Sequence, residues 1–528
     1  PQGIALRLSE WTSMGDWRLF FLHRDRLEQV TPDAVRRVAA TYLVPTNRTT
    51  GYFYPVDETP TRAEVPPPPD VAALVADYVG REAVAEGEAF DPTPSNIESR
   101  TQRVTLDNGF ELAMLPKETR GNTVTANFTL RFGTEEALSG RAPEAGLVAA
   151  MLRRGTEQRT RQEIEDELDR LKAQLSFGGG ATSVGGRIQT VRENLPDVLR
   201  LLFEILTEPS FPANEFATLK EERLVALESQ MAEPQARAFT AFQRLLNQHR
   251  PEDHPSYVPT LEEQKERLEA VTLEQVQSFW EDFYGARNGT ASLVGDFDPE
   301  EMQALAAELF GSWDSPAEYV RIEDPYRAVD PVEEDIETPD KTNAMMVAAQ
   351  PVKMKDTDED YPAMVLGNYM LGGGFLNSRL AERIRQEEGL SYGVGSQFGA
   401  GALDDSGIFM TYAIFAPENA DAVVAAFRDV LDQVLSEGFT EEEIAAAKQG
   451  WLDSQQNGRA SDGSIAGQLN GQLFIDRTYE YTTELEAAVE ALTADQILGA
   501  MQEHIDPSNI SIIRAGDFEV VAAEAPAS

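Results

Sequence analysis

The chain has 528 residues and a mass of 58.2 kDa, too long for a single hydrophobic core, and predicts about three or four compact units. It contains no cysteine, which excludes disulfides, thiolate zinc sites, iron–sulfur clusters and a cysteine nucleophile. Its 90 acidic and 45 basic residues give a formal net charge of −45, which disfavours nucleic acid and anionic membranes as partners.

The first clearly capped element recurs twice further along the chain. In each copy a threonine precedes an acidic residue and a helical pattern, an asparagine follows 16 residues after the threonine, and an apolar run comes next. Each copy therefore predicts a Thr-capped helix, a turn and a buried closing strand. The threonine–asparagine pairs are Thr31 and Asn47, Thr272 and Asn288, and Thr493 and Asn509.

A second repeat, Phe-x3-Glu-x4-Lys, supports this division. It occurs at Phe211 to Lys220 and at Phe439 to Lys448, after an amphipathic helix that opens with Glu-Asn in both places. The period between related units is about 220 to 240 residues, which is the length of a domain rather than of a solenoid repeat.

These repeats predict the domain boundaries and an α+β fold, in which each repeated domain packs helices on an antiparallel-rich sheet. The predicted segments are the closing piece of a preceding domain (1–58), a proline-bearing linker (59–99), a complete domain (100–313), an acidic linker (314–337), a last domain (338–518) and a tail (519–528).

Several shorter motifs are weak. The four histidines (His23, His249, His254 and His504) include no i, i+4 pair, so the sequence does not favour a helical two-histidine zinc site. Residues 389–393 match G-x-S-x-G, but a helical pattern precedes the serine and a strand follows, the reverse of a nucleophile elbow.

Asp356, Asp358 and Asp360 resemble the start of a calcium loop. Position six of that loop is Tyr361 instead of glycine and position twelve is Gly367 instead of glutamate, so we interpret the segment as a solvated acidic loop. The glycine triplets at 178–180 and 372–374 lack the Gly-Lys-Ser/Thr sequence of a phosphate loop.

The last domain carries the most specific pattern. Residues 371–380 read LGGGFLNSRL and residues 385–392 read RQEEGLSY, so a glycine-rich loop and a helix lead to Arg385 and Tyr392, seven residues apart. This pattern closely resembles the second-domain signature of the pitrilysin/insulinase family of zinc peptidases, the inverzincins. Together with the repeated helix–strand units, the resemblance covers nearly the whole chain.

The resemblance implies four homologous domains, arranged as two halves of a clamshell around a peptide-binding chamber. The zinc helix H-x-x-E-H of this family lies in the first domain of an active half. By this resemblance the chain holds the end of the second domain and the whole of the third and fourth, as the C-terminal portion of a fused bacterial member. Zinc is then expected in the N-terminal half and no cofactor in this chain.

The family's zinc helix ends in a Met-Leu-x-Lys-Gly-Thr pattern, matched here by residues 151–156, MLRRGT. Counting back, the two histidine positions fall on Gly146 and Ala150 and the general-base position on Ala149. The distal carboxylate position falls on Ser229, with Glu228 one residue out of register. A catalytic zinc needs at least three protein ligands, so the resemblance implies a degenerate zinc motif and no metal in this domain.

By the same resemblance, Arg385 and Tyr392 bind the substrate or the transition state from across the chamber, next to a substrate-binding segment of Gly372, Gly373 and Gly374. A tyrosine hydroxyl can donate to a developing oxyanion, and an arginine can pair with substrate carbonyls or carboxylates. In the alternative interpretation, Arg385 only closes a helix and Tyr392 packs in a strand.

The expected function is that of a non-catalytic, substrate-binding C-terminal half of a zinc metalloendopeptidase for extended peptides, inactive on its own. The alternative is a non-enzymatic scaffold or peptide-binding subunit derived from the same family. The expected partners are a peptide substrate and a catalytic half, in the same polypeptide or in a partner subunit, without nucleic acid.

No apolar run approaches the roughly 18 residues of a membrane helix, so no membrane span is expected. Only 8 of the 45 basic residues are lysine, and this acidic, lysine-poor composition fits a marine or halophilic bacterium as well as an ordinary acidic protein. The absence of cysteine and the habit of similar bacterial peptidases favour the cell envelope, in the periplasm.

Overall fold

The computed structural model describes residues 2–52, 70–81, 86–374 and 377–519. The chain divides into two compact units, Pro1–Ala85 and Glu86–Ser528. Residues 59–69 and 82–85 of the predicted proline-bearing linker, the end of the first predicted closing strand and the tail after residue 519 lie outside the described residues. None of the described helices is both long and apolar enough to cross a membrane.

The described part of the first unit is helical. Thr31 caps its third helix, as the sequence predicted, because the threonine hydroxyl accepts a hydrogen bond from the Ala34 amide at 3.2 Å. That helix exposes an apolar stripe of Val35, Val38 and Tyr42, which are 57, 49 and 62% exposed. The helices are α1 (Gln2–Ser13), α2 (Arg18–Leu27), α3 (Pro32–Tyr42) and α4 (Val71–Val75).

The second unit contains two sheets, each packed with helices. The first sheet has six strands in the order β1-β2-β6-β3-β5-β4, in which only β2 and β6 are parallel. Its domain, the first sheet domain, consists of α5 (Pro94–Arg100), β1 (Gln102–Thr105), β2 (Glu111–Pro116), β3 (Thr123–Arg131), α6 (Ala142–Met151), α7 (Arg161–Arg170), β4 (Gln174–Gly179), β5 (Ser183–Val191), α8 (Leu195–Thr207), α9 (Ala213–Met231), α10 (Pro234–Leu246), α11 (Leu261–Ala270), α12 (Leu273–Phe283), β6 (Thr290–Gly295) and α13 (Pro299–Phe310).

The second sheet has five strands in the order β7-β11-β8-β10-β9, in which only β7 and β11 are parallel. The predicted α+β fold with antiparallel-rich sheets is confirmed. This second sheet domain consists of β7 (Glu333–Glu337), β8 (Ala344–Lys353), α14 (Tyr361–Asn368), β9 (Ser391–Ala400), β10 (Ser406–Phe415), α15 (Ala420–Glu437), α16 (Glu441–Arg459), α17 (Asp462–Phe474), α18 (Tyr479–Ala491), α19 (Ala494–His504) and β11 (Ser511–Gly516).

Both sequence repeats correspond to repeated contacts. Thr272 and Thr493 cap α12 and α19 by accepting hydrogen bonds from the amides three residues on. The lysine of the second repeat makes equivalent hydrogen bonds in both domains. Lys220 donates to the Glu269 and Val271 carbonyls. Lys448 donates to the Glu490 and Leu492 carbonyls. Each lysine thereby satisfies carbonyls that α11 or α18 leaves open at its C-terminus.

Each sheet domain also places one helix on the other domain's sheet. Helix α17 packs on β2, β3 and β6, where the Ser292 hydroxyl donates to the Ala466 carbonyl at 2.6 Å. Helix α10 packs on β8 and β11, where Phe242 is buried against Val347 and Ile513. This exchange forms two smaller apolar clusters that contain residues of both domains, while each domain keeps a main core of its own.

The segment between the two sheet domains is held by one bidentate ion pair. Arg321 donates to both carboxylate oxygens of Asp404 at 2.6 and 2.8 Å, and the Asp324 amide donates to the same carboxylate at 3.0 Å. The hydrogen bonds from Arg321 hold the pKa of Asp404 below its ordinary value.

This ion pair predicts a pH-dependent contribution to stability. Because the folded-state pKa of Asp404 is lowered, its contribution is complete above the unfolded value of about 3.9 and is lost as the pH falls through the folded value. We expect Asp404→Asn to lower the free energy of unfolding by about 1 kcal/mol at pH 7. Urea unfolding of both proteins between pH 3 and pH 7 should show the two curves converging below pH 4; a constant difference would contradict the assignment.

Candidate functional site

Arg385 lies in a π-helical segment, Ala381–Glu387, that precedes β9. The helix ends because Gly389 adopts φ = 64°, a left-handed conformation that favours glycine, and the Leu390 amide then donates back to the Ile384 carbonyl at 2.9 Å. Ile384 is buried, whereas the Arg385 side chain is exposed. The segment thus anchors one face in the core and presents Arg385 to solvent.

Arg385 differs from its neighbouring arginines in its charge environment. Arg379 donates to Glu443 at 2.9 Å, and Arg383 pairs with Glu388 at 2.8 Å. Burial alone would raise the pKa of Glu443, but the hydrogen bond from Arg379 and those from Thr440 lower it. Among the described residues Arg385 has no ion pair or hydrogen bond, so its guanidinium is available to a ligand.

Tyr392 lies in a β-bulge at the start of β9. In the register with β10, Gly393 pairs with Ile414 and Ser391 pairs with Phe415, which leaves Tyr392 as the extra residue. The Ser391 hydroxyl donates to the Ile414 carbonyl at 2.7 Å and accepts from the Gly393 amide at 3.1 Å. These two bonds hold the bulge closed, and the Tyr392 side chain is 73% exposed.

Strand β9 is an edge strand, and in the described part of the chain no other strand pairs with its outer side. An edge strand offers a row of unpaired N–H and C=O groups, to which an extended peptide can add by main-chain hydrogen bonds. The bulged Tyr392 is the second residue of this edge strand. The arrangement combines a free cation, a phenol hydroxyl and a strand edge within residues 385–400.

The glycine-rich segment continues α14 as a π-helical turn, Tyr369–Gly373. A Cβ atom at Gly372 would lie 2.5 Å from the Ser396 hydroxyl and 2.6 Å from its amide, so Gly372 allows this turn to approach β9 closely. A Cβ atom at Gly374 would meet the Tyr369 carbonyl at 2.8 Å. The first and third glycines therefore have a packing role; a role of Gly372–Gly374 in substrate binding stays a prediction.

The four positions that the resemblance assigns to the zinc motif carry no metal-ligating side chain. Gly146, Ala149 and Ala150 lie on α6, and Ser229 is exposed near the end of α9. The neighbouring Glu228 pairs with Lys265 at 2.7 Å. These residues offer no imidazole and no general base, so they do not fit the catalytic zinc of the family.

The sequence motifs that we discounted also have structural partners. Asp356 accepts two hydrogen bonds from Arg477 at 2.5 and 2.6 Å, and Asp358 accepts one from the Lys355 amide, so both carboxylates have partners within the chain. Burial lowers the pKa of His249 and of His254. Within the described residues, one cluster has the composition of a metal site: Asp360, Glu503 and His504. It contains neither His249 nor His254.

The sequence did not reveal the bulge or the role of Ser391. We rejected the G-x-S-x-G match around this serine as a nucleophile elbow, and its buried hydroxyl is occupied by backbone groups. A serine directly before the exposed tyrosine was the available signal, because serine readily bonds to nearby backbone.

We expect the chain by itself to hydrolyse no peptide, with or without added zinc, since the zinc-ligand and general-base positions are glycine, alanine and serine. A quenched fluorescent peptide library measures this directly. Turnover that a chelator abolishes and zinc restores would contradict the expectation; turnover that a chelator leaves unchanged would indicate a contaminating or metal-independent enzyme.

Comparison with known proteins gives consistent matches. Residues 270–450 match the model of the peptidase M16 inactive domain. An uncharacterised zinc protease of Rickettsia bellii is 25% identical over 342 residues, which cover 62% of this chain and 76% of that protein. The non-peptidase homologue YmxG of Helicobacter pylori is 20% identical over 370 residues, covering 70% and 83%.

Two solved structures have the same fold. The peptidase M16 inactive domain from Pseudomonas fluorescens has a TM-score of 0.69 at 24% identity, covering 79% of this chain and 97% of that one. The periplasmic protease PqqL from Escherichia coli has a TM-score of 0.64 at 14% identity, covering 92% of this chain and 50% of that one. The resemblance drawn from residues 371–392 is confirmed.

Proposed function

Because this chain carries the peptidase M16 inactive domain, we propose that it is the non-catalytic, substrate-binding half of a zinc metalloendopeptidase that acts on extended peptides. The observation that carries the proposal is the unpaired Arg385 close in sequence to the bulged, exposed Tyr392 on a free strand edge. The degenerate zinc positions support a binding role rather than a catalytic one.

The chemistry of the two side chains fits a peptide backbone. The edge of β9 aligns an extended substrate through main-chain hydrogen bonds, and Arg385 pairs with a substrate carbonyl or carboxylate. The Tyr392 hydroxyl donates to the carbonyl oxygen that becomes negative in the transition state. Zinc, held by the other half, would activate the attacking water; no residue of this chain takes part in that step.

The exposed apolar stripe on α3 supports a further domain as partner. By the repeat, Val35, Val38 and Tyr42 correspond to Val276, Phe279 and Phe283 of α12, which are at most 3% exposed in the core of the first sheet domain, where α12 packs against α6. An apolar stripe that is buried in one copy of a unit calls for an equivalent layer over the other copy. The remainder of a homologous domain, in the same polypeptide or in a partner subunit, supplies that layer.

The alternative function is a scaffold or peptide-binding subunit without hydrolysis. The similarity to a non-peptidase homologue favours keeping it as a second candidate. The sequence of the cognate other half decides between the two: H-x-x-E-H with a distal glutamate supports the peptidase, and its absence supports the scaffold.

We also propose a periplasmic location, supported by the absence of cysteine and by the fold shared with a periplasmic protease. Fractionation of the native host with an antibody against this chain tests it. Recovery in the cytosolic fraction alone would contradict the location without affecting the peptide-binding site.

Peptide binding by the chain itself tests the proposed function. We expect a fluorescent, unstructured peptide to bind at 0.15 M salt, and Arg385→Ala to weaken binding at least ten-fold by removing a charge-assisted contact. Arg383→Ala is the matched control. It removes the same charge at a position two residues away, where the arginine is already paired with Glu388. Equal losses in both variants would mean that only general charge matters, and an unchanged affinity in Arg385→Ala would contradict the assigned site. In an enzyme containing both halves, Arg385→Ala should also raise KM.

A further inference from the structure

A cluster of three side chains lies between the start of α14 and the end of α19. The His504 Nε2 atom lies 3.0 Å from an Asp360 carboxylate oxygen, and one donor atom each from Asp360, Glu503 and His504 lies within 4.8 Å of the others. Asp360 and Glu503 form no ion pair with a lysine or arginine among the described residues. Two carboxylates therefore converge there with a single imidazole.

The corresponding place in the first sheet domain contains a built-in cation. Arg141 precedes α6 as Asp360 precedes α14, with a proline two residues later in both cases. Its guanidinium lies 2.8 Å from Glu144 and 3.1 Å from Asp282, and stacks over the ring of Phe283. In that domain the junction between the two helices is thus centred on a positive charge.

The internal repeat aligns the two junctions residue by residue. Asp282 and Phe283 at the end of α12 correspond to Glu503 and His504 at the end of α19, because both pairs lie ten and eleven residues after the capping threonine. The acidic position is Asp282 in the first domain and Glu503 in the second. The other two positions differ: Arg141 corresponds to the carboxylate of Asp360, and Phe283 to the imidazole of His504. Where the first sheet domain has an internal guanidinium, the second has two potential metal ligands, Asp360 and His504.

We propose that Asp360, Glu503 and His504 bind a divalent cation of the zinc class, which replaces the guanidinium of the sister domain. One imidazole nitrogen with two carboxylate oxygens suits zinc or another first-row divalent ion better than calcium or magnesium, which prefer oxygen ligands alone. Three protein ligands leave a remaining position for water. The cluster is separate in sequence from the positions that the resemblance assigns to the zinc motif, Gly146, Ala149, Ala150 and Ser229. A cation on the cluster would depart from the sequence-based expectation of no cofactor in this chain, which considered only that motif.

The backbone around the cluster is already fixed. The buried Gln350 side chain donates to the His504 carbonyl at 2.7 Å and accepts from the Asp506 amide at 3.0 Å, which holds the end of α19 against β8. A cation here would join α19 to the start of α14, the helix that continues into the glycine-rich turn beside β9. Its role is structural, since it would stabilise the position of α14 and of the glycine-rich turn that packs against β9, the strand that carries Tyr392.

Metal analysis of the whole chain tests the proposal. After removal of metals with a chelator, equilibrium dialysis against ZnCl2 should leave one more equivalent of zinc on the wild type than on His504→Phe or Asp360→Arg. We expect both variants to lose at least ten-fold in affinity for zinc, and zinc to raise the Tm of the wild type alone. His249→Ala, which removes a histidine outside the cluster, should bind zinc as the wild type does.

Asp360→Arg doubles as a control for folding, because it recreates the pairing seen between Arg141 and Asp282 and should keep its Tm without metal. If that variant fails to fold, Glu503→Gln, an isosteric change of an exposed side chain, should show the same loss of zinc. Equal zinc stoichiometry and affinity in all the proteins would overturn the proposal, as would no retained zinc in the wild type. Neither result bears on peptide binding, which Arg385→Ala tests separately.

Discussion

In an enzyme that contains both halves, Tyr392→Phe is expected to lower kcat by about 10²- to 10³-fold with little change in KM. The substitution removes one hydroxyl and keeps the ring. A hydrogen-bond donor that contacts the substrate carbonyl oxygen mainly when that oxygen becomes negative lowers the activation barrier without strengthening the ground-state complex. Losing such a donor costs about 2.7 to 4 kcal/mol of transition-state stabilisation.

The folded state should be insensitive to the same change, because the Tyr392 side chain is 73% exposed and contributes no hydrogen bond among the described residues. Steady-state kinetics and Tm are measured on the same preparations. Tyr412→Phe, on the neighbouring strand β10, is the control for removing a phenol from this sheet. A lower Tm with normal specific activity would assign Tyr392 a packing role, and an unchanged kcat would end the catalytic proposal.

The α+β fold could be predicted from the sequence because its signals are local. Thr31, Thr272 and Thr493 cap helices through contacts only three residues long, and the apolar runs after α12 and α19 form the closing strands β6 and β11. After α3, the described residues Gly51 and Tyr52 lie in no strand. Spacing between such signals is visible without any knowledge of tertiary structure.

Contacts between distant segments were not predictable in this way. Asp360 stood out only beside Asp356 and Asp358, whereas its partner His504 lies 144 residues away. The bulge at Tyr392 depends on how β9 registers with β10, and one residue of slip changes which side chain projects. The exchange of α10 and α17 is likewise a property of two surfaces rather than of either helix.

That exchange has a measurable consequence for stability. Leu469 of α17 is completely buried on the first sheet, in a cluster with Leu115 of β2 and Val294 of β6. We expect Leu469→Ala to reduce the free energy of unfolding by about 2 to 5 kcal/mol, because a truncated core leucine loses its burial and leaves a cavity. Val225→Ala, at a side chain 61% exposed on α9, should change it by less than about 0.5 kcal/mol.

The location of the loss is more informative than its size. Helix α17 belongs to the second sheet domain and covers β6 of the first, while α10 belongs to the first and covers β8 of the second. If α17 separates from β6, we expect the two domains to move apart and α10 to separate from β8 as well. Hydrogen exchange should therefore accelerate in both β6 and β8 of Leu469→Ala, and calorimetry should retain one transition for residues 86–528 at a lower Tm. Faster exchange in β6 with β8 unchanged would show that the two domains unfold independently. In that case the two shared apolar clusters would not couple the domain that contains Arg385 and Tyr392 to its neighbour.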